Sequence, residues 1–183
     1  MNKIKLALLD MNNNHANQGM KNIREISQQF KETSAENVEI TVFDVRYKNE
    51  MPNVEEFDIF ISSGGPGNPH REGYEWEQKF ADFLDEVWEH NKNSEQKKFL
   101  FLICHSFQLA SIHWKLGNIC KRKSYSFGVM PIHKTYQGEN DFLLKNLPEP
   151  FYAVDSRAYQ FIEPDHKKLD QMGMKIVGLE KVR

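Results

Sequence analysis

The sequence predicts an α/β protein with a doubly wound, mainly parallel sheet covered by helices on both faces. Two observations support this prediction. Short apolar runs rich in β-branched residues alternate with amphipathic stretches as far as residue 117, and polar or glycine-rich segments follow the ends of these runs. Beyond residue 117 short strand patterns follow one another with little helix between them, which predicts a short-strand second half.

Three strands and one helix are predicted in the first third of the chain. IKLALLD (4–10) is a short apolar strand, and the polar segment MNNNHANQG after it is a loop. From residue 17 to residue 30 the apolar side chains recur at helical spacing. VEITVFDV (38–45) alternates and is rich in β-branched residues, and FDIFISS (57–63) leads directly into GGPGNP.

The next predicted elements are a helix, a strand and a second helix. Residues 74–90 carry a pronounced apolar face of aromatic and aliphatic side chains, which predicts an amphipathic helix. FLFLI (99–103) is apolar at every position, as expected of a central strand covered on both faces. SFQLASIHWKLG then predicts a helix closed by Gly117. In the second half, strands are predicted in NICKR, SFGVMPIHKT, FYAVDS and MKIVGLE (174–180).

The composition of the chain disfavours several classes of protein. The 183 residues suit a single domain, and the net charge of −2 does not favour a nucleic-acid partner, so the basic residues 121–123 are expected in a solvated turn. No apolar run approaches the length of a membrane span, and no secretion signal precedes the first strand. The two cysteines, Cys104 and Cys120, show neither a disulfide framework nor metal-ligand spacing. We therefore expect a cytoplasmic protein with no cofactor and no metal.

Cys104 lies where the apolar strand 99–103 gives way to a helix. A cysteine at such a turn points away from the sheet, beside the free N–H groups and the positive end of the helix dipole. Both favour the thiolate over the thiol, and the same N–H groups can hold an oxyanion. The alternative interpretation is a buried structural cysteine at a strand end.

A second loop, SSGGPG (62–67), follows the strand before it. Paired glycines let the backbone direct N–H groups into a concavity that binds an anion, although a plain turn is the simpler interpretation. No GK[ST] follows, which excludes a phosphate loop of that type. Because sites in parallel sheets lie beyond the carboxyl ends of the strands, this loop and Cys104 are expected to face each other.

This combination resembles the class I, triad-type glutamine amidotransferases, in particular the glutaminase domain of GMP synthase. That family carries a strand-end SGGPG oxyanion loop and, later, an elbow of the form G-x-C-x-G-x-Q, matched here by SSGGPG and LICHSFQLA. Weaker similarities continue along the chain, in LGNI (116–119), YSFGVMPIHKT (125–135) and FYAVDSRAYQF (151–161). The resemblance implies a flavodoxin-like fold and one amidotransferase-like domain over residues 1–183, truncated at its C-terminus.

The resemblance also implies roles for individual residues. Cys104 would attack the side-chain amide of glutamine, and the backbone N–H groups of Gly65 and His105 would hold the oxyanion. Gly64, Gln108 and Ser156 would contact the substrate. Ammonia would pass to a synthetase domain or subunit, which is the partner that the resemblance implies.

The sequence departs from the family pattern at three places. Leu102 and Ser106 replace the elbow glycines, which suggests a shifted or tighter turn, and Arg157 stands where the family often has histidine. No His-x-Glu occurs near the C-terminus, where the family has its catalytic base and orienting carboxylate. On position alone, five histidines are poor substitutes for this catalytic base: His70, His105, His113, His133 and His166.

Three alternatives to an active glutaminase stay open. A catalytically degenerate binding domain of the same fold is favoured by the altered elbow and the missing base. A different cysteine enzyme, similar to the DJ-1 group, would usually have a glutamate at the end of the first strand, where the shorter Asp10 stands. A flavin-binding module is disfavoured because MNNNHANQG is not a phosphate loop rich in Ser, Thr and Gly.

Overall fold

The computed structural model describes residues 3–180 of the chain. These residues fall into two units, one ending at His113 and the other beginning at Trp114, and each unit is described by itself. None of the helices within residues 3–180 is both long and apolar enough to cross a membrane.

The first unit is built on a parallel four-stranded sheet with the strand order β2-β1-β3-β4. Its strands are β1 (Lys3–Asp10), β2 (Asn37–Asp44), β3 (Ile59–Ser62) and β4 (Phe99–Leu102). Its helices are α1 (Gln18–Thr33), α2 (Val45–Lys48), α3 (Glu75–Asn93) and α4 (His105–His113). All of these except the one-turn α2 overlap segments in which the sequence predicts them, so the doubly wound α/β fold is confirmed.

Helices α1 and α3 cover opposite faces of this sheet. Leu8 of β1 packs with Met20 of α1 and with Ile59 of β3 on one face. Phe60, the next residue along β3, points to the other face because side chains alternate along a strand. There its ring centroid lies 5.1 Å from that of Phe83 in α3. Since strand order reverses at β1, right-handed crossovers place successive helices on opposite faces.

Strand β4 lies at an edge of the four-stranded sheet. The all-apolar run 99–103 predicts a central strand, but β4 pairs with β3 and has no second neighbour among residues 3–180. Phe99 and Phe101 are consequently exposed. The strand itself is confirmed and its central position is wrong, because apolar composition reports what a strand can bury and not which strands lie beside it.

The helix after Cys104 is shorter than predicted. α4 ends at His113, and the chain turns through Lys115, whose φ of 56° is left-handed. Gly117 does not close the helix and is needed for packing instead. A Cβ on Gly117 would lie 2.7 Å from the Phe161 ring and 3.0 Å from the Cα of Pro164, so the ring would have to shift for any other residue.

The second unit contains an antiparallel three-stranded sheet with the order β6-β5-β7. Its elements are β5 (Asn118–Lys134), α5 (Tyr136–Glu139), β6 (Phe151–Ile162), α6 (His166–Gln171) and β7 (Gly178–Glu180). NICKR and SFGVMPIHKT, expected as separate short strands, form the single strand β5, whose pairing with β6 shifts register between Lys121 and Ser126. The basic residues 121–123 therefore lie within a strand, at this irregularity, and not in a turn.

Candidate active site

Cys104 lies at the turn between β4 and α4. Its φ of 50° is left-handed, a conformation that residues other than glycine rarely adopt. The N–H of Gln108 donates to the Cys104 carbonyl at 2.9 Å, so Cys104 accepts a hydrogen bond from the first turn of α4. The side chain is exposed. A strained strand-to-helix turn that presents its side chain to solvent is the geometry of a nucleophile elbow.

The glycine loop, residues 62–67, lies directly against Cys104. β3 and β4 are parallel neighbours, so the segments that follow them emerge at the same edge of the sheet. A Cβ placed on Gly64 would lie 3.4 Å from the Cβ of Cys104. The structure thus brings together the two loops that the sequence expects to face each other.

Gly65 is fixed by a backbone contact with the segment after β1. A Cβ placed on Gly65 would lie 2.3 Å from the carbonyl oxygen of Met11, a distance that no side chain tolerates. Met11 in turn donates its N–H to the Ser63 hydroxyl at 2.9 Å. The loops after β1, β3 and β4 therefore converge on one small region, with Met11 against Gly65 and Cys104 against Gly64.

Ser106 occupies one of the positions where the resemblance expects an elbow glycine. Its buried hydroxyl donates to the Ser63 carbonyl at 2.6 Å and lies 2.7 Å from the Ser62 hydroxyl. The added side chain thus links α4 to the glycine loop through two hydrogen bonds. Leu102, at the other such position, is the half-buried last residue of β4. The strand-to-helix turn at Cys104 therefore forms with Leu102 and Ser106 in place of the two glycines.

The side chain of His105 is buried next to the elbow. It is 2% exposed, and its Nε2 has no hydrogen-bond partner. Burial, reinforced by the positive charge of Arg46 and opposed by Glu77, lowers the pKa of His105 to about 4. The imidazole is therefore neutral at physiological pH. Its backbone N–H lies in the first turn of α4, where helix N–H groups lack an acceptor within the helix.

Two of the other histidines that the sequence offers as substitutes for the base contact carboxylates. Nε2 of His113 lies 2.9 Å from Asp85, and Nδ1 of His133 lies 2.9 Å from Glu149. His166, at the start of α6, is exposed. None of the three lies in the loops that follow β1, β3 and β4.

His70 differs from the other histidines in its position. It is exposed and comes three residues after Gly67, the end of the glycine loop. With Arg71 and Glu72 it forms a His-x-Glu sequence. This sequence follows β3, whereas the resemblance places the His-x-Glu of the family after the last long strand.

The predicted substrate residues lie in different units. Gly64 touches Cys104 as described, and Gln108 is buried in the first turn of α4. Ser156 belongs to β6 of the second unit, where its hydroxyl lies 2.8 Å from that of Tyr125. Contacts of these residues with a substrate stay predictions.

Asp10, the acidic residue at the end of β1, is engaged by its own loop. Its Oδ1 accepts the backbone N–H of Asn12 at 3.0 Å and the Asn12 side-chain amide at 2.9 Å. Its other oxygen lies 3.8 Å from Arg24. Asp10 therefore caps the segment after β1, which disfavours the DJ-1-like alternative. Within residues 3–180, no three side chains of His, Cys, Asp or Glu are grouped to hold a metal ion.

Comparison with solved structures identifies the fold. A glutamine amidotransferase from Thermotoga maritima superimposes with a TM-score of 0.67 at 17% identity, over 88% of this chain and 64% of that one. The glutaminase domain of Trypanosoma brucei CTPS, solved with bound acivicin, gives a TM-score of 0.66 at 13% identity, over 97% and 75%. A Thermoplasma acidophilum protein assigned to GMP synthase gives 0.51 at 16% identity, over 87% and 69%.

The chain therefore has the class I glutamine amidotransferase-like fold. It spans 64% of the length of the Thermotoga protein, and the same share of another structural neighbour, SMU.1228c, at a TM-score of 0.64 and 16% identity. No protein-family model matches the chain, and no curated protein matches its sequence.

Proposed function

We propose that the chain is a glutaminase-type amidotransferase domain that releases ammonia from glutamine through a thioester on Cys104. One observation carries the proposal: an exposed cysteine with a left-handed φ of 50° stands at a strand-to-helix turn, with Gly64 in contact with it. A thiolate at a helix N-terminus, beside a glycine loop rich in N–H groups, suits attack on a carbonyl carbon.

The proposed reaction has two stages. Sγ of Cys104 attacks the amide carbon of glutamine, and the N–H groups of Gly65 and His105 stabilise the resulting oxyanion. The C–N bond breaks, the leaving nitrogen takes the proton that the Cys104 thiol gave up to the general base, and it departs as ammonia while a γ-glutamyl thioester remains. Water then gives a proton to the general base and attacks the thioester carbon, and the C–S bond breaks to release glutamate and the Cys104 sulfur, which takes that proton back. Ammonia is the product that an acceptor domain or subunit would consume.

A general base is needed in both stages. His105 does not suit this role, because its side chain is buried and its pKa is lowered to about 4. His70 is the candidate within this chain, since it is exposed beside the glycine loop and begins a His-x-Glu sequence. The second candidate function is a domain that binds glutamine without hydrolysing it, favoured by Leu102 and Ser106 at the positions of the elbow glycines.

The test is glutamate release from glutamine by the full-length protein, together with labelling by a glutamine-analogue electrophile such as acivicin. Cys104→Ala is expected to lower turnover by at least about 10³-fold and to abolish labelling. Cys120→Ala is the matched control, because it removes the other thiol of the chain, and we expect it to leave both readouts unchanged.

The outcomes separate the candidates. Binding of glutamine with neither turnover nor labelling would reject the glutaminase and support the binding domain. If turnover occurs, His70→Gln decides whether this chain supplies its own base: a loss of about 10²-fold or more is expected if it does, and unchanged turnover would exclude His70.

A further inference from the structure

Arg46 connects two of the three loops that converge on Cys104. It lies in α2, immediately after β2, and its Nη1 donates to the Pro66 carbonyl at 2.5 Å and to the Met11 carbonyl at 3.3 Å. Pro66 belongs to the glycine loop, and Met11 follows β1. A single guanidinium group therefore joins the segment after β1 to the segment after β3.

The Met11 carbonyl that Arg46 binds is also the one against which Gly65 packs. A Cβ on Gly65 would lie 2.3 Å from that oxygen, so the Gly65 backbone rests on it. Gly67, at the far end of the loop, has a left-handed φ of 106°, and a Cβ there would lie 3.6 Å from Nη2 of Arg46. The guanidinium thus lies beside Gly67 and binds both the Pro66 carbonyl and the Met11 carbonyl on which Gly65 rests.

The guanidinium is itself held in place by packing. Its carbon lies 4.8 Å from the centroid of the Trp76 ring, a cation–π distance, and Trp76 is buried. Burial lowers the pKa of Arg46, although Glu72 and Glu77 act in the opposite direction, and Nε is buried without a hydrogen-bond partner. Removing the charged guanidinium from water, to hold it over an aromatic ring and against backbone carbonyls, costs desolvation free energy. Such a cost is expected where a loop has to be held in one conformation.

We propose that Arg46 is a positioning residue for the oxyanion site: its guanidinium joins the Met11 and Pro66 carbonyls and so fixes the direction of the Gly65 N–H. This inference rests on the proposed function. Arginine suits the role because its planar fork places several donors in a fixed geometry, whereas a lysine ammonium acts as a single mobile point charge. Arg46 does not touch the reacting atoms, so it acts through the loop.

The first test needs no enzymatic activity. Backbone NMR order parameters of Gly64, Gly65 and Gly67 would be measured in the wild type, in Arg46→Met and in Arg71→Met. Arg71 is the matched control, because it lies just beyond the same loop and bonds the exposed Gln78 side chain at 2.9 Å. We expect the order parameter of Gly65 to fall from about 0.85, the value of a rigid backbone, to below about 0.6 in Arg46→Met, and to stay unchanged in Arg71→Met.

The second test separates loop positioning from general damage. Arg46→Met is expected to lower kcat for glutamine hydrolysis by about 10²-fold with less than a threefold change in KM, because the oxyanion exists only in the transition state and intermediate. Alkylation of Cys104 by iodoacetamide passes through no oxyanion, so its rate should not change. Equal losses in kcat and in alkylation would overturn the inference.

A conservative variant covers the case in which Arg46→Met does not fold. Arg46→Lys keeps the charge, and it should show a smaller fall in the order parameter of Gly65. An unchanged order parameter in a folded Arg46 variant would overturn the inference even if glutamine is hydrolysed. Conversely, a wild type that releases no glutamate would reject the proposed function, while the order parameter still decides whether Arg46 holds the loop.

Discussion

The two units of the chain bury their apolar residues to very different extents. In the first unit both faces of the sheet are covered, and Phe60, Phe80 and Leu8 are almost completely buried. In the described part of the second unit the buried apolar side chains are Leu116, Ile119 and Leu169.

One face of the β5–β6 ribbon in the second unit is apolar and open to solvent. Phe127 and Val154 are 77% and 84% exposed, and Tyr125, Val129 and Tyr152 on the same face are exposed as well. The candidate site thus stands on the unit whose strands are anchored by a close-packed core. Loops that leave such strands can hold a strained residue like Cys104, because the surrounding structure determines their conformation.

The strands of the second unit are joined by charged side chains. Arg122 of β5 donates two hydrogen bonds to Glu180 of β7, at 2.9 and 3.0 Å, and Arg157 of β6 donates one at 2.5 Å. Arg157 also pairs with Asp155 at 2.8 Å. Hydrogen bonds from Arg122 lower the pKa of Glu180, despite the opposing effect of partial burial. One glutamate thus links three strands, in a region with few buried apolar contacts.

A pair of phenylalanine truncations gives the largest expected contrast. Phe60→Ala should lower the free energy of unfolding by about 4 kcal/mol, because it opens a cavity where Phe60 meets Phe57 and Phe83. Phe127→Ala should change it by less than about 0.5 kcal/mol, since that side chain is mostly in solvent. Urea unfolding followed by circular dichroism measures both. Equal losses would contradict the difference between the units.

The first unit shows how much of this fold follows from sequence pattern. Strands and helices are predicted there because each apolar run has the period of its element and ends at glycine, proline or polar residues. The edge position of β4 is not predicted, since strand order depends on pairing between segments far apart in the chain. Gly117 shows a similar limit: glycine predicts a helix end, whereas here it makes room for the Phe161 ring.

The candidate site shows the same division between local and distant information. Cys104 and the glycine loop are found from sequence because each is a short motif directly after a strand. Arg46 is not found, because its partners Met11 and Pro66 lie 35 and 20 residues away and no motif marks it. Ser106 appears in sequence as a departure from the elbow pattern, and only its buried bonds to residues 62 and 63 show how it is accommodated.

An effect of intermediate size is expected from the buried His105, which should make the free energy of unfolding depend on pH. Its pKa falls from 6.5 to about 4 in the folded protein, so between these values the unfolded chain binds a proton that the folded chain does not. Stability is therefore complete above about pH 6.5 and falls as the pH is lowered toward 4. From pH 7.5 to pH 5 this group should remove about 2 kcal/mol of the unfolding free energy.

Urea unfolding at the two pH values measures the effect, with a matched pair of variants. His105→Met should flatten the pH dependence, because it removes the titrating group from the buried position. His166→Gln, which removes an exposed histidine, is the matched control. A pH dependence that survives in His105→Met would assign it to other groups.

The smallest expected effect belongs to the ion pairs of the second unit. Glu180→Gln removes the charge that Arg122 and Arg157 share, but the three side chains are 19–31% exposed, so solvent screens the pairs. We expect a loss of less than about 1 kcal/mol, against none for Glu139→Gln on the exposed surface of α5. The loss should shrink between 0.05 and 0.5 M salt, since screening acts on exposed pairs. If Glu180→Gln lowered the unfolding free energy nearly as much as Phe60→Ala, and salt did not change this loss, the ion pairs would be a main source of stability in the second unit.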